Sequence, residues 1–176
     1  MSSRRAADLV TRLALQPHPE GGWYREIYRS PTRVDTPRGP RAALTTIYYL
    51  LEQSQLSRWH VVQADELWHF YAGSPLELLA YTPTTRKFER HVLGHVSAPD
   101  AGVAAGSHRE NVAAGATSVS VIPTGVWQAA RSLGEFSLVG CTVGPGFEFA
   151  DFEFVSALGS HSEHFKGDLA PFANLL

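Results

Sequence analysis

The chain has 176 residues, with 44% hydrophobic and 11% aromatic side chains, 15 basic against 17 acidic groups and one cysteine. That apolar content suits a single packed domain over residues 1–176 and excludes a disordered chain. A formal net charge of −2 with no basic stripe argues against nucleic acid or an anionic membrane as partner, and Cys141 alone forms no internal disulfide, which fits a reducing, cytoplasmic compartment.

The first segment, "SSRRAADLVTRLALQ", places Leu9, Val10, Leu13 and Leu15 at amphipathic spacing and predicts a helix within residues 1–16, with Ser2 or Ser3 as cap. Its Arg4-Arg5 pair is followed by Asp8 and Arg12, which interrupt any apolar run that a signal segment would need. No stretch reaches the ~18 consecutive apolar residues of a membrane span. The "QPHPEGG" punctuation then ends regular structure, and short β-prone runs follow: "WYREIYRS", "ALTTIYYLL", "RWHVVQ", "ELWHFYAG", "LELLAYT", "KFERHVLG", "SVSVIP", "VWQAARS", "FSLVGCTV" and "FEFADFEFV". Ala150-Asp151 breaks the alternation of Phe147, Phe149, Phe152 and Phe154, as a bulge or bend would. "TPTTRK" and "RSLGEF" read as hairpin connections, residues 94–117 as a surface loop, and residues 157–176 as a tail with a short helix or an extended arm. Closely spaced strands without interleaved helices predict an all-β sandwich or barrel with a core over about residues 20–156.

Candidate chemistry centres on "SRWHVVQADELWHFYAG". Strand alternation puts Glu66, Trp68 and Phe70 on one face, and Asp65, Leu67, His69 and Tyr71 on the other; His60 and Val62 share a side. If the two strands are neighbours across Gln63-Ala64, His60 approaches Glu66. A buried carboxylate needs a partner, and an imidazole supplies one that is poised near neutral pH as a base or a metal ligand. Solvated residues on a surface strand are the competing reading. In "HPEGGWYRE", Glu20 and Tyr24 are rim candidates, against an ordinary edge strand and turn. Arg58 and Arg131 are placed beside the mouth, and Cys141 as a small core residue.

Glu66, six residues and then Gly73 resemble the end of the first cupin motif, and "IPTGVWQAA" resembles the second. With "HPEGGWYRE", "DELWHFYAGSPLEL" and "LVGCTVGPGFEFADFE", the chain resembles the DUF985 or cupin-5 family over roughly residues 9–156. The resemblance implies a double-stranded β-helix, a jelly-roll barrel with short terminal helices, and commonly a homodimer. Of the four metal-ligand positions, His60 and Glu66 match, whereas Val62 and Gln128 stand where histidines would be. His60, Glu66 and Gln128 would form a poor site for zinc, iron or copper, so no metal cofactor is expected and a divalent ion is the weaker alternative.

The implied pocket joins His60, Glu66 and Gln128 to Trp68, Phe70, Tyr48 and Trp127, with His69 as a further lining candidate. By fold analogy with metal-free deoxysugar epimerases, His60 would be the base, Glu66 would orient it, and Gln128 or a tyrosine would hydrogen-bond the enolate. The expected function is a small-molecule-binding cupin acting as an epimerase or isomerase on a sugar-like or hydroxy-carbonyl substrate. A non-catalytic ligand sensor and a metal-dependent oxygenase are the alternatives.

Overall fold

The amphipathic N-terminal segment forms α1 (Arg4–Arg12), with Arg12 in its last turn, where a cation suits the helix dipole. The computed structural model describes residues 4–96, 116–155, 162–167 and 169–176. The expected caps Ser2 and Ser3 lie outside the described residues, as does most of the 94–117 stretch. The strands are β1 (Gln16–Pro17), β2 (Trp23–Arg29), β3 (Arg33–Val34), β4 (Arg41–Ala42), β5 (Thr45–Glu52), β6 (Leu56–Val62), β7 (Asp65–Gly73), β8 (Leu76–Thr82), β9 (Lys87–Leu93), β10 (Val119–Ile122), β11 (Trp127–Ser132), β12 (Phe136–Gly144) and β13 (Phe152–Phe154). At the tail lie α2 (Ser162–Lys166) and a 3-10 turn, Ala170–Leu175.

Two antiparallel sheets face each other, one in the order β1-β2-β5-β12-β7-β10 and the other β13-β6-β11-β8-β9, with β3-β4 as a separate hairpin. Inward residues of both sheets, including Tyr49, Leu51, Trp68, Phe70, Leu78, Ala130, Val139 and Cys141, interdigitate as the barrel core. Both outer faces are also covered. Helix α1 and the turn that follows it lay Leu9, Val10 and Leu13 on Leu50, Phe136 and Leu138 of the first sheet. The C-terminal tail lays Phe165, Leu169 and Leu175 on Trp59, Leu79, Tyr81 and Trp127 of the second. This double coverage explains why "LELLAY" runs apolar almost without alternation: six of the seven residues of β8 are buried. No helix among the described residues is long and apolar enough to cross a membrane.

The break at Ala150-Asp151 is a 3-10 turn, Phe149–Asp151, rather than a bulge within one strand. The Gln63-Ala64 step is not a hairpin turn. It is a corner at which the chain leaves the second sheet in β6 and enters the first in β7. His60 and Glu66 therefore face each other across the barrel instead of along a shared hairpin.

Candidate functional site

At one end of the barrel is a cavity of about 160 Å³. Its interior groups are His18, Glu20, His60, Glu66 and Cys141; Ile47, Val62, Val143, Phe147 and Phe152 form apolar walls, and Gln16, Tyr24, Glu26, Arg29, Thr45, Glu148 and Phe149 complete its lining.

Glu20 arrives on the "HPEGG" turn, which plugs into β6. The Arg58 N–H donates to the Glu20 carbonyl (3.1 Å), and the Tyr49 hydroxyl donates to the Gly21 carbonyl (2.8 Å). Gly21 has φ of +117°, and a Cβ there would collide with the Leu56 carbonyl, so the turn can only seat itself with glycine. The Glu20 carboxylate is buried, accepting from the Ser57 hydroxyl on Oε1 (3.0 Å) and facing His60 Nε2 with Oε2 (3.3 Å).

His60 is held at both ring nitrogens. Its Nδ1 lies 2.7 Å from the Arg58 carbonyl, which can only accept, so Nδ1 carries a hydrogen and Nε2 is the nitrogen that faces Glu20 and the cavity. Phe152 stacks on the ring, with centroids 5.1 Å apart. Glu66 takes a hydrogen bond from Gln128 Nε2 (2.6 Å), and Gln128 Oε1 accepts from Trp68 Nε1 (3.0 Å). Burial pushes the Glu66 carboxyl above its ordinary range, and the negative charge of Glu20 adds to this; His60, Gln128 and Cys141 pull the other way. Burial, and then the charges of Glu66 and Glu20, keep the Cys141 thiol well above its ordinary value, so it stays protonated and no thiolate chemistry is assigned to it. Burial lowers His18, with Glu20 opposing, and its Nδ1 accepts from the Glu20 N–H (3.3 Å). His18 is thus neutral near pH 7, with its hydrogen on Nε2.

The sequence profile of the family described as "Cupin superfamily (DUF985)" matches residues 7–155. The chain belongs to that family. A search of curated proteins finds no match. Among solved structures, this cupin is similar to a protein of Shewanella oneidensis, with 31% identity and a TM-score of 0.77 over 97% of this chain and 96% of the other. It is also similar to a hypothetical protein of Leishmania major, with 28% identity and a TM-score of 0.73 over 97% and 95%. An oxalate decarboxylase of Lactobacillus farciminis shares the fold at 14% identity and a TM-score of 0.54, this chain spanning 41% of that protein.

The cupin barrel brings some sequence candidates together and separates others. His60, Glu66, Glu20 and Tyr24 all line the cavity. Gln128 points inward but stands behind Glu66, buried, with both ends of its amide engaged. Trp68 lies beneath it in the core, and Phe70 lies further along the barrel against His95. Tyr48, His69 and Trp127 are not in the cavity. Each is the immediate strand neighbour of inward residues, so alternation turns it outward: Tyr48 toward the α1 face and Tyr71, Trp127 toward Tyr81, His164 and Phe165. The carboxylate in contact with His60 is Glu20, and no hydrogen bond or ion pair joins His60 to Glu66 among the described residues. Arg58 and Arg131 do not line the cavity either; Arg131 is paired with Glu77, and Arg58 covers Phe154.

A metal fits poorly here. The Gln128 oxygen is occupied by an indole N–H, and the described residues hold no group of three or more His, Cys, Asp or Glu spaced to bind an ion. The main residue that sequence alternation misplaces is Arg29. A bulge between Glu26 and Tyr28 inserts Ile27 and brings Glu26 and Arg29 to the same side, where Arg29 pairs with Glu26 and Glu148 (both 2.8 Å).

Proposed function

We propose that this cupin binds a small hydroxy-carbonyl or sugar-like molecule in its barrel and isomerises or epimerises it by proton transfer, without a metal. The observation that carries this reading is His60, fixed through Nδ1 on a backbone carbonyl with Nε2 turned to the cavity and to Glu20. In this reading Nε2 takes the proton alpha to the substrate carbonyl, and Glu20 stabilises the imidazolium that forms. Glu66, whose proton affinity burial raises, stands on the opposite sheet and shuttles the hydroxyl proton between the two oxygens of the enediolate. Gln128 holds Glu66 and has no role on the substrate.

The test is wash-in of solvent deuterium at the alpha carbon of aldoses and ketoses, read by NMR. Wild type should exchange, and His60→Asn should bind the same compound with exchange reduced roughly 10²–10⁴-fold. A His60→Asn variant that exchanges at the wild-type rate removes His60 from the base role. Binding by wild type with no exchange at all makes the protein a ligand-binding module. The family resemblance adds a homodimer to this proposal, tested by light scattering at twice the chain mass.

A further inference from the structure

We propose that the ligand of this cavity is a small hydroxylated compound carrying an ammonium group, and that phosphorylated and carboxylated compounds are excluded. The proposal rests on the reading of the barrel as a ligand site and adds the charge of the ligand to it. Among the described residues, four carboxyl groups, those of Glu20, Glu26, Glu66 and Glu148, line the cavity against one guanidinium, that of Arg29.

All three nitrogens of that guanidinium already have acceptors. Its Nε and Nη2 are on the two Glu26 oxygens (3.1 and 2.8 Å), Nη1 is on Glu148 (2.8 Å), and Nη2 also reaches the Phe147 carbonyl (3.2 Å). His60 turns one nitrogen to a carbonyl and the other to Glu20, so it offers an anion no unshared donor. An anionic ligand would enter a space lined mainly by carboxyl groups with its own charge uncompensated, which is the costly case.

A cation meets the opposite situation. Glu20 lies against the second sheet and Glu66 comes from the first, so their carboxyl groups flank the same space from two sides. Phe147, Phe149 and Phe152 supply aromatic surface beside them, which attracts ammonium groups. A separate observation points to hydroxyl oxygen on the ligand. The His18 side chain is only 7% exposed and lines the cavity; its Nδ1 is used by the Glu20 N–H, and Nε2–H has no hydrogen-bond partner among the described residues. It is a donor that awaits an acceptor.

Isothermal titration with D-glucosamine, D-glucose and D-glucosamine 6-phosphate tests the proposal. Glucosamine should bind on the order of tenfold more tightly than glucose, and the 6-phosphate more weakly than glucosamine. Glu66→Gln, near-isosteric and checked for an unchanged melting curve, should shrink the advantage of glucosamine over glucose. Glu148→Ala should free the Nη1 hydrogen of Arg29 that Glu148 holds and raise affinity for the phosphate, a gain that misfolding cannot mimic. Equal or tighter binding of glucose or of the phosphate by wild type overturns the proposal. So do undetectable binding of glucosamine at millimolar concentration and a Glu148→Ala variant with no gain. Deuterium exchange on the same probes keeps the two readings apart. Glucosamine bound without exchange leaves the charge assignment standing and removes proton transfer; exchange of glucose with no preference for the amine does the reverse.

Discussion

Gln128 occupies the position to which the resemblance to the second cupin motif assigns a histidine, and in this chain its amide bridges two buried groups. Its Nε2 donates to Glu66 while its Oε1 accepts from Trp68, so one side chain satisfies a buried carboxyl and a buried indole together. Replacing it with leucine keeps the volume but leaves both partners unpaired. Gln128→Leu should lower stability by about 1–3 kcal/mol in chemical denaturation, and Glu66 should titrate higher still, readable by NMR of its carboxyl carbon. A variant as stable as wild type would mean that water replaces the amide at no cost. That Glu66, His60 and Gln128 all point inward was legible from alternation and from the two motif fragments. That Glu20 is the acid on His60 was not, because no strand phase relates the "HPEGG" turn to β6; only the docking of that turn does.

The segment Phe147–Phe152 forms one wall of the cavity and is irregular backbone that sheet hydrogen bonds hold only in part. Side-chain ion pairs tie it down. Asp151 is buried and takes Nε of Arg41 (2.7 Å) and Nε of Arg38 (2.9 Å), while Arg29 clasps Glu148 (2.8 Å). The Arg41 hydrogen bonds, and then those of Arg38, hold the Asp151 carboxyl below its usual range. A carboxyl lowered in the folded state contributes stability that is present above roughly pH 4 and lost as pH falls through its folded value. Wild type should therefore lose melting temperature more steeply than Asp151→Asn between roughly pH 5 and pH 3, followed by circular dichroism. Parallel curves for the two proteins would remove Asp151 as the acid-sensitive clasp. The arginines come from the β3–β4 region and from β2, far along the chain, and the Ile27 bulge resets the phase that a reader of β2 would use.

At the scale of the whole molecule, the barrel is a three-layered object: its own core, helix α1 outside one sheet and the tail outside the other. The tail is thus part of the fold. Leu169 is fully buried against the second sheet, and Leu169→Ala should cost about 2–5 kcal/mol by urea denaturation; a loss under about 0.5 kcal/mol, in the range of surface substitutions, would show the tail to be dispensable. The strand-rich class, the inward phase of Glu66, Trp68 and Phe70, the family and the departures from the usual metal-ligand motif were legible in the sequence, because these depend on local periodicity and on residue identity at matched positions. Which carboxylate meets His60, which aromatic residues wall the cavity and that Arg29 is already held by Glu26 and Glu148 follow from the tertiary structure alone. Those facts depend on a chain corner that changes sheets, a glycine turn seated on β6 and a bulge that shifts phase by one residue, and each is set by packing between segments distant in sequence.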